Sequence, residues 1–419
     1  MGVFGHIDGG GNVWYNGKKR RQKSEIESQE RRSPYVAKVS LVPCESYDPT
    51  VCEKALTQVL APLGGLEWVK EGMHIVIKAN LVGAFEPEKA ATTHPTLLAT
   101  LTKFLRSRGA KVTIGDSPGS FYNESVLKRV YRVTGLQEAV EAGAELNYDF
   151  SQKMASYPRG NVAKEFLYTA YLDKADAIIS FCKLKSHGMM GLSAATKNLF
   201  GAVPGTTKPE YHFRYSEPLD FAGMIIDLNN YFGPKLFLVD GVEAMEGNGP
   251  TAGSPRHMGV LLAGTDCHGV DMICAKLIGQ DPMTVPTLQA AINYGYISPT
   301  GEDIEVIGDV DALTVKDFDR VLQAKSMQFQ NEFPGKLGQW FGNVARACLR
   351  PRPKLASSEC VGCGVCLRVC PAKAITIRKG KAVIKKKSCI RCFCCQEFCP
   401  KGAMKVHRPL VARILNPRK

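Results

Sequence analysis

Cysteine is the residue whose spacing first suggests chemistry in this chain. Cys360-x2-Cys363-x2-Cys366-x3-Cys370-Pro371 is followed, eighteen residues beyond that proline, by Cys389-x2-Cys392-x2-Cys395-x3-Cys399-Pro400. A two-residue spacing lets one tight loop present three thiolates to an iron–sulfur cube, while the fourth cysteine lies too far along to join them and points at the neighbouring cube. The pattern therefore predicts two [4Fe–4S] clusters, one on Cys360, Cys363, Cys366 and Cys399, the other on Cys389, Cys392, Cys395 and Cys370. Two equal quartets overshoot the four ligands of a zinc site, and a disulfide framework belongs to small secreted domains rather than to the end of a long chain. Cys394 is out of register and reads as a non-ligand thiol in the cluster shell, although spacing alone leaves open which of Cys394 and Cys395 meets iron.

Between the two runs, 374–377 and 382–384 are short β-prone pieces around Lys379-Gly380-Lys381, the pattern of a hairpin. With Leu367, Val369, Ile390, Phe393 and Phe398 they offer apolar cover against water. Residues 358–406 resemble a two-[4Fe–4S] bacterial-type ferredoxin domain, with all eight cysteines and both prolines in place. The resemblance implies a small α+β module that exchanges single electrons.

Charge is concentrated in the same region. Residues 351–419 hold seventeen Lys and Arg against two acids, Glu359 and Glu397, whereas the whole chain is +14, so the rest is near neutral. Surplus positive charge favours reduced clusters and steers an acidic redox partner toward them. No recognition motif for nucleic acid accompanies it, so nucleic acid is not an expected partner. Seven further cysteines (Cys44, Cys52, Cys182, Cys267, Cys274, Cys348 and Cys394) are scattered, and free thiols beside clusters suit a reducing compartment. There is no apolar run long enough for a transmembrane segment. Arg20-Arg21 is followed by polar residues instead of an export segment, and Met1-Gly2 lacks Ser or Thr at position six. Cytoplasm is the expected location.

These groups need a scaffold. Over 35–330, apolar strands at 36–42, 74–78, 111–114, 177–181, 236–240, 259–263 and 304–307 alternate with helices at 51–63, 95–108, 124–133, 219–231 and 270–278. The alternation predicts an α/β fold, a mostly parallel sheet covered on both faces, followed by the small ferredoxin-like module. In such sheets ligands bind beyond the carboxyl ends of the strands. There the sequence places Lys78-Ala79-Asn80, Asp116-Ser117, Lys183-x-Lys185-x-His187, Lys197-Asn198, Asp240 and then Asp266 and Asp271. Counting Lys208, five lysines at one edge predict a pocket for an anionic small molecule. Lys78, Asn80, Asp116, Lys197 and Asn198 are its expected binding residues, and Lys185 and His187 its catalytic pair, His187 as general acid or base. His94 and His212 are lesser candidates. Gly201-x3-Gly205-x2-Lys208 is not a P-loop, and Gly247-x-Gly249-x3-Gly253 is not a dinucleotide fingerprint. Those glycines are expected to serve tight turns or close approach of backbone to a ligand.

Lys78-x-Asn80, Thr93-His94-Pro95, Gly115-Asp116-Ser117, Lys183-x-Lys185-x-His187, Lys197-Asn198-x2-Gly201, Asp240-Gly241 and Gly247-x-Gly249-Pro250-x2-Gly253 together resemble the family known as domain of unknown function 362, over roughly residues 36–310. The resemblance implies a common fusion to a ferredoxin module and no settled activity. The expected organisation is a polar, charged arm over 1–34, the α/β domain over 35–325, a connection over 326–356 and the ferredoxin-like module over 357–419. The connection carries Phe329, Phe333, Leu337, Trp340, Phe341 and Val344 at helical spacing, for packing between domains, with an amphipathic membrane contact as the alternative. Together these features describe an iron–sulfur electron-transfer protein or oxidoreductase. The alternatives are a binding or assembly module, and a non-redox enzyme on an anionic metabolite with structural clusters.

Overall fold

A computed structural model describes residues 36–205, 207–321 and 351–407, together with the backbone of two short paired strands, His6–Ile7 and Val13–Trp14. The rest of the expected arm, most of the 326–356 connection with its apolar set, and the last residues of the tail lie outside the described residues.

The large domain begins with β1 (Ala37–Pro43), α1 (Pro49–Leu60), β2 (His74–Ala79), α2 (Pro95–Arg106), β3 (Lys111–Gly115), α3 (Glu124–Val133) and β4 (Glu145–Leu146). After a separate hairpin, Gln152–Ser156 with Glu165–Thr169, come β5 (Ala177–His187), β6 (Gly191–Ser193), α4 (Ala195–Asn198), α5 (Lys208–Arg214) and α6 (Pro218–Phe232). It closes with β7 (Leu236–Glu246), β8 (Ser254–Gly264), α7 (Cys267–Leu277), α8 (Pro286–Asn293) and β9 (Ile304–Ile307). The strands form one sheet in the order β9-β1-β8-β7-β5-β2-β3-β4, with β6 on β5. Only β8 and β6 run against the others, so the sheet is mixed but mostly parallel, as its apolar strands predict.

Side-chain alternation divides each central strand between two cores. Phe237, Val239, Val260 and Leu262 pack with α6, α7 and α8 on one face. Leu236, Leu238, Leu261 and Ala263 pack with α1, α2 and α3 on the other. Where both faces are covered, over 236–239 and 260–263, the residues are apolar, which is why these stretches read as continuous apolar runs. The helices start where the sequence supplies an acceptor: Asp48 caps α1 ahead of Pro49, His94 caps α2 ahead of Pro95, and Asp266 caps α7.

Two strands exceed their expected lengths. β5 and β7 each run for 11 residues instead of ending near Phe181 and Asp240. Their distal halves carry Lys183, Lys185, Ser186, His187 and Glu243, which look like loop residues in the sequence. Here the polar groups are satisfied by one another, so the backbone stays extended.

The C-terminal module pairs β10 (Arg352–Leu355) with β13 (Met404–His407), and β11 (Ile375–Arg378) with β12 (Lys381–Ile384) as the expected hairpin. Two single-turn helices, α9 (Val365–Arg368) and α10 (Cys394–Glu397), lie between them.

Candidate functional site: the cysteine cavities and the sheet edge

Two cavities open in the C-terminal module. The first is lined by Cys360, Cys363, Cys366 and Cys399 with Leu355, Ile377, Ala382 and Met404. Cys370, Cys389, Cys392 and Cys395 line the second, with Ile375, Ile384, Ile390 and Phe393. Each cavity thus takes three cysteines from one run and the fourth from the other. Backbone N–H groups meet the crossing sulfurs, Ala374 N on Cys370 Sγ at 3.2 Å and Ala403 N on Cys399 Sγ at 3.3 Å. Convergent thiols in an apolar shell suit [4Fe–4S] clusters.

The two halves repeat in backbone as well as in sequence. Gly362 (φ 68°), Gly364 (φ 73°) and Lys373 (φ 48°) correspond, 29 positions on, to Arg391 (φ 60°), Phe393 (φ 63°) and Gly402 (φ 60°). Left-handed backbone costs a non-glycine residue about 1–2 kcal/mol. Arg391 and Phe393 hold it because their loop must follow the same path around its cavity. Cys394, just beyond, is fully buried and also lines the second cavity.

Most of the polar groups at the sheet edge bind one another. Lys78 Nζ meets Asp116 Oδ1 at 2.8 Å, Ala79 O at 2.7 Å and Asn198 Oδ1 at 3.2 Å, which uses all three of its protons. Asp116 also accepts from Leu81 N, and Asn198 donates to Lys78 O and Ser180 Oγ. A side chain at Gly201 would meet Asp116 Oδ1 at 2.1 Å, so this knot requires glycine there. Lys183 pairs with Asp240 at 2.7 Å and with Tyr47 OH, while His94 stacks on Tyr47 at 3.5 Å and accepts from Thr96 N. Burial pulls His94 down to about 4. Asp266 and Asp271 do not join the edge. Asp266 caps α7, and Asp271 accepts from Ala195 N and Thr196 N at the start of α4. The ligand atoms of Asp266, Cys267 and His268 converge within 4.8 Å, but they sit at the positive end of α7, a poor place for a cation.

Lys185 Nζ donates to Asn80 Oδ1 at 2.6 Å and Ala91 O at 2.8 Å, with no carboxylate on it among the described residues. Burial, then the neighbouring charges of Lys197 and Lys183, lowers its pKa to about 7. Lys208, on Ser117 O and Val203 O, is likewise lowered by burial to about 7. Lys197, Lys208 and His212 surround the Phe200 ring at 5.6, 5.4 and 5.4 Å. Neither ring nitrogen of buried His212 has a hydrogen-bond partner among the described residues, and burial holds its pKa near 3.

His187 joins the two halves of the molecule. Its Nδ1 accepts from Met189 N and Met190 N at 3.0 and 3.1 Å, so the ring proton is on Nε2 and is donated to Glu397 Oε1 at 3.0 Å. Burial, reinforced by the Lys197 charge, lowers His187 to about 4, so the ring is neutral near pH 7. Burial alone would raise Glu397, but the Lys197 charge and the His187 N–H hold it well below the usual carboxylate range. Beside this contact, Gln396 Nε2 donates to Asn248 O and Gly249 O, Asn248 Oδ1 accepts from Val406 N, and Phe393 is buried in the main core. Gly249 is pressed against Ser186 O. The glycine-rich turn therefore makes its close approaches to β5 and to α10. Glu397 and Gln396 were not singled out from sequence as site residues. The available signal was that Glu397 is one of only two acids in a strongly basic tail.

Residues 75–276 match the family model described as a domain of unknown function, DUF362, and residues 352–400 match a 4Fe-4S dicluster domain. The thylakoid-associated protein sll1697 of Synechocystis sp. is 30% identical over 272 residues, which span 64% of this chain and 83% of that protein. The chain belongs to the DUF362 family. Among solved structures, the lactate racemase apoprotein from Thermoanaerobacterium thermosaccharolyticum aligns over 58% of this chain and 57% of its own, with a TM-score of 0.37 and 14% identity. A protein from Thermotoga maritima aligns over 44% and 43%, with a TM-score of 0.27 and 12% identity. This DUF362 chain therefore carries a domain for binding 4Fe-4S clusters at its C-terminal end. No helix among its described residues is long and apolar enough to cross a membrane.

Proposed function

We propose that this DUF362 protein is an iron–sulfur electron-transfer protein or oxidoreductase that passes electrons between a partner and an anionic small molecule at the sheet edge. Two [4Fe–4S] clusters are held by Cys360, Cys363, Cys366 and Cys399, and by Cys389, Cys392, Cys395 and Cys370. When bound, they supply one-electron transfer. The observation that carries the reading is the double duty of α10. The turn that presents Cys395 to the second cavity also places Glu397 on His187, at the end of β5.

At that edge the residues have separate tasks. Lys78, Asp116 and Asn198 fix the ends of β2 and β3 relative to β5. Lys185 orients Asn80. Lys197, partly exposed and without a hydrogen-bond acceptor among the described residues, is the cation left to meet an incoming anion. His187 in this arrangement donates to Glu397 and holds α10, so a role as acid or base requires that contact to open. The basic module favours an acidic protein partner, and cytoplasm suits the free thiols.

A second reading, a binding or assembly module with structural clusters, draws support from the saturation of Lys78 and Lys183. One experiment separates the two: anaerobic purification, iron and sulfide analysis, and EPR of the reduced protein. The redox reading expects about eight irons per chain and reducible clusters. Clusters that accept no electron would leave only the second, and zinc in their place would remove both.

A further inference from the structure

We propose that the face of the C-terminal module around Val361, Cys363 and Leu367 is a port at which a small acidic electron-carrier protein docks and delivers electrons. The inference rests on the two-cluster reading and adds a place and a direction to it.

The two cysteine cavities differ in access. Val361, Cys363, Pro400 and Lys401, all exposed, line the first, with Val361 at 63%. No exposed residue lines the second, which Phe393 closes from the side of the main core. Electron transfer between proteins weakens steeply with distance, so a carrier arriving from solvent comes closest at the first cavity. The second cavity faces the sheet edge, which sets the order: carrier, first site, second site, edge.

Among the described residues, the charges around the opening that are not in ion pairs have one sign. Arg368 Nη1 lies 3.4 Å from Cys363 O, Lys381 bonds Cys360 O, and Lys401 lines the cavity. Gly362 is pressed against Gly380 O, which brings the Lys379 turn alongside. Of the two acids in the tail, Glu359 is paired with Lys405 at 2.8 Å, and Glu397 is on α10 against the sheet edge. An apolar centre, Val361 with Leu367 at 41% exposure, inside a basic rim complements a carrier whose redox group is ringed by carboxylates. The transfer balances directly. One electron leaves the carrier, which is oxidised by one equivalent, and the [4Fe–4S] group on the 360–366 loop is reduced by one equivalent. No proton or leaving group moves.

The test uses the full chain loaded with clusters and, as probe, an acidic flavodoxin in its fully reduced form. Stopped-flow bleaching of the clusters is followed at low and moderate salt, alongside label-free binding of oxidised flavodoxin. Arg368→Glu with Lys401→Glu should lower both the second-order rate constant and the affinity by about tenfold or more, and should flatten the salt dependence. Lys379→Glu with Lys401→Glu makes the same reversal without touching Cys363 O, and should behave alike. Lys386→Glu with Lys387→Glu, an equal charge change at residues lining neither cavity, should change both by less than about threefold. Iron and sulfide are measured on every variant. If clusters are intact and the two kinds of reversal act equally, or neither acts, the port is wrong and the two-cluster reading stands. If the wild type holds no clusters, both fall.

Discussion

Lys185 and His187 show how far a buried polar side chain departs from its behaviour in water. Lys185 has a folded pKa of about 7 against an ordinary 10.5. A depressed lysine pKa means that the unfolded chain binds the extra proton between those values. Its contribution to stability is therefore fully present above about pH 10.5 and is lost as pH falls through about 7, with a slope of at most about 1.4 kcal/mol per pH unit. Lys185→Met should remove that share, so the wild-type-minus-variant difference in unfolding free energy should rise between pH 7 and 10. A flat difference would place the ammonium in contact with water. Lys185→Met and Lys185→Ala should both leave Asn80 Oδ1 and Ala91 O unpaired, at a cost of about 1–3 kcal/mol, and Lys185→Ala should add the cost of a cavity. His187 makes a second prediction. Its pKa is lowered from 6.5 to about 4, so the neutral ring contributes fully above pH 6.5 and that contribution is lost as pH falls through about 4. Nitrogen NMR at pH 7 should show the neutral tautomer protonated at Nε2, and an imidazolium signal would contradict the hydrogen bonds that Nδ1 accepts from Met189 N and Met190 N.

At the scale of elements, β5 and β7 explain what the sequence could and could not reveal. Their proximal halves were legible because apolar residues on both faces are a local pattern. Their distal halves were not, because the partners that bury Lys183, Lys185 and His187 are Asp240, Asn80 and Glu397, far away along the chain. The short helices α5 and α8 and the hairpin over 152–169 escaped for a related reason, since each is too short to show a period. The cysteine runs were the opposite case, because both ligand type and register are written locally. Close packing of elements gives a testable pair. An added Cβ at Gly188 would lie 2.9 Å from Phe393 Cδ1, whereas one at Gly249 would lie 2.0 Å from Ser186 O. Gly188→Ala should push against a movable ring, loosening α10 from the edge while iron content is unchanged. Gly249→Ala meets backbone and should destabilise the large domain by about 2 kcal/mol or more. Hydrogen exchange separates the outcomes: faster exchange confined to the contact around 187–190 and 393–398 in the first, and spread through β5 and β7 in the second.

For the whole molecule, the arrangement is directional. One cavity is lined by exposed residues in a basic surface, the other by none, and a single turn of helix ties the second to an edge where Lys197 has no hydrogen-bond acceptor among the described residues. Lys197 lies within electrostatic reach of Glu397 and Cys394, and so beside the second cavity. A potentiometric EPR titration of the wild type and Lys197→Gln tests this coupling most directly. The account predicts two one-electron steps, with one potential falling by roughly 40 mV when the positive charge is removed, about 1 kcal/mol for one electron, and the other unchanged. If both potentials stayed where they were, the clusters would be electrically isolated from the sheet edge, contradicting the account.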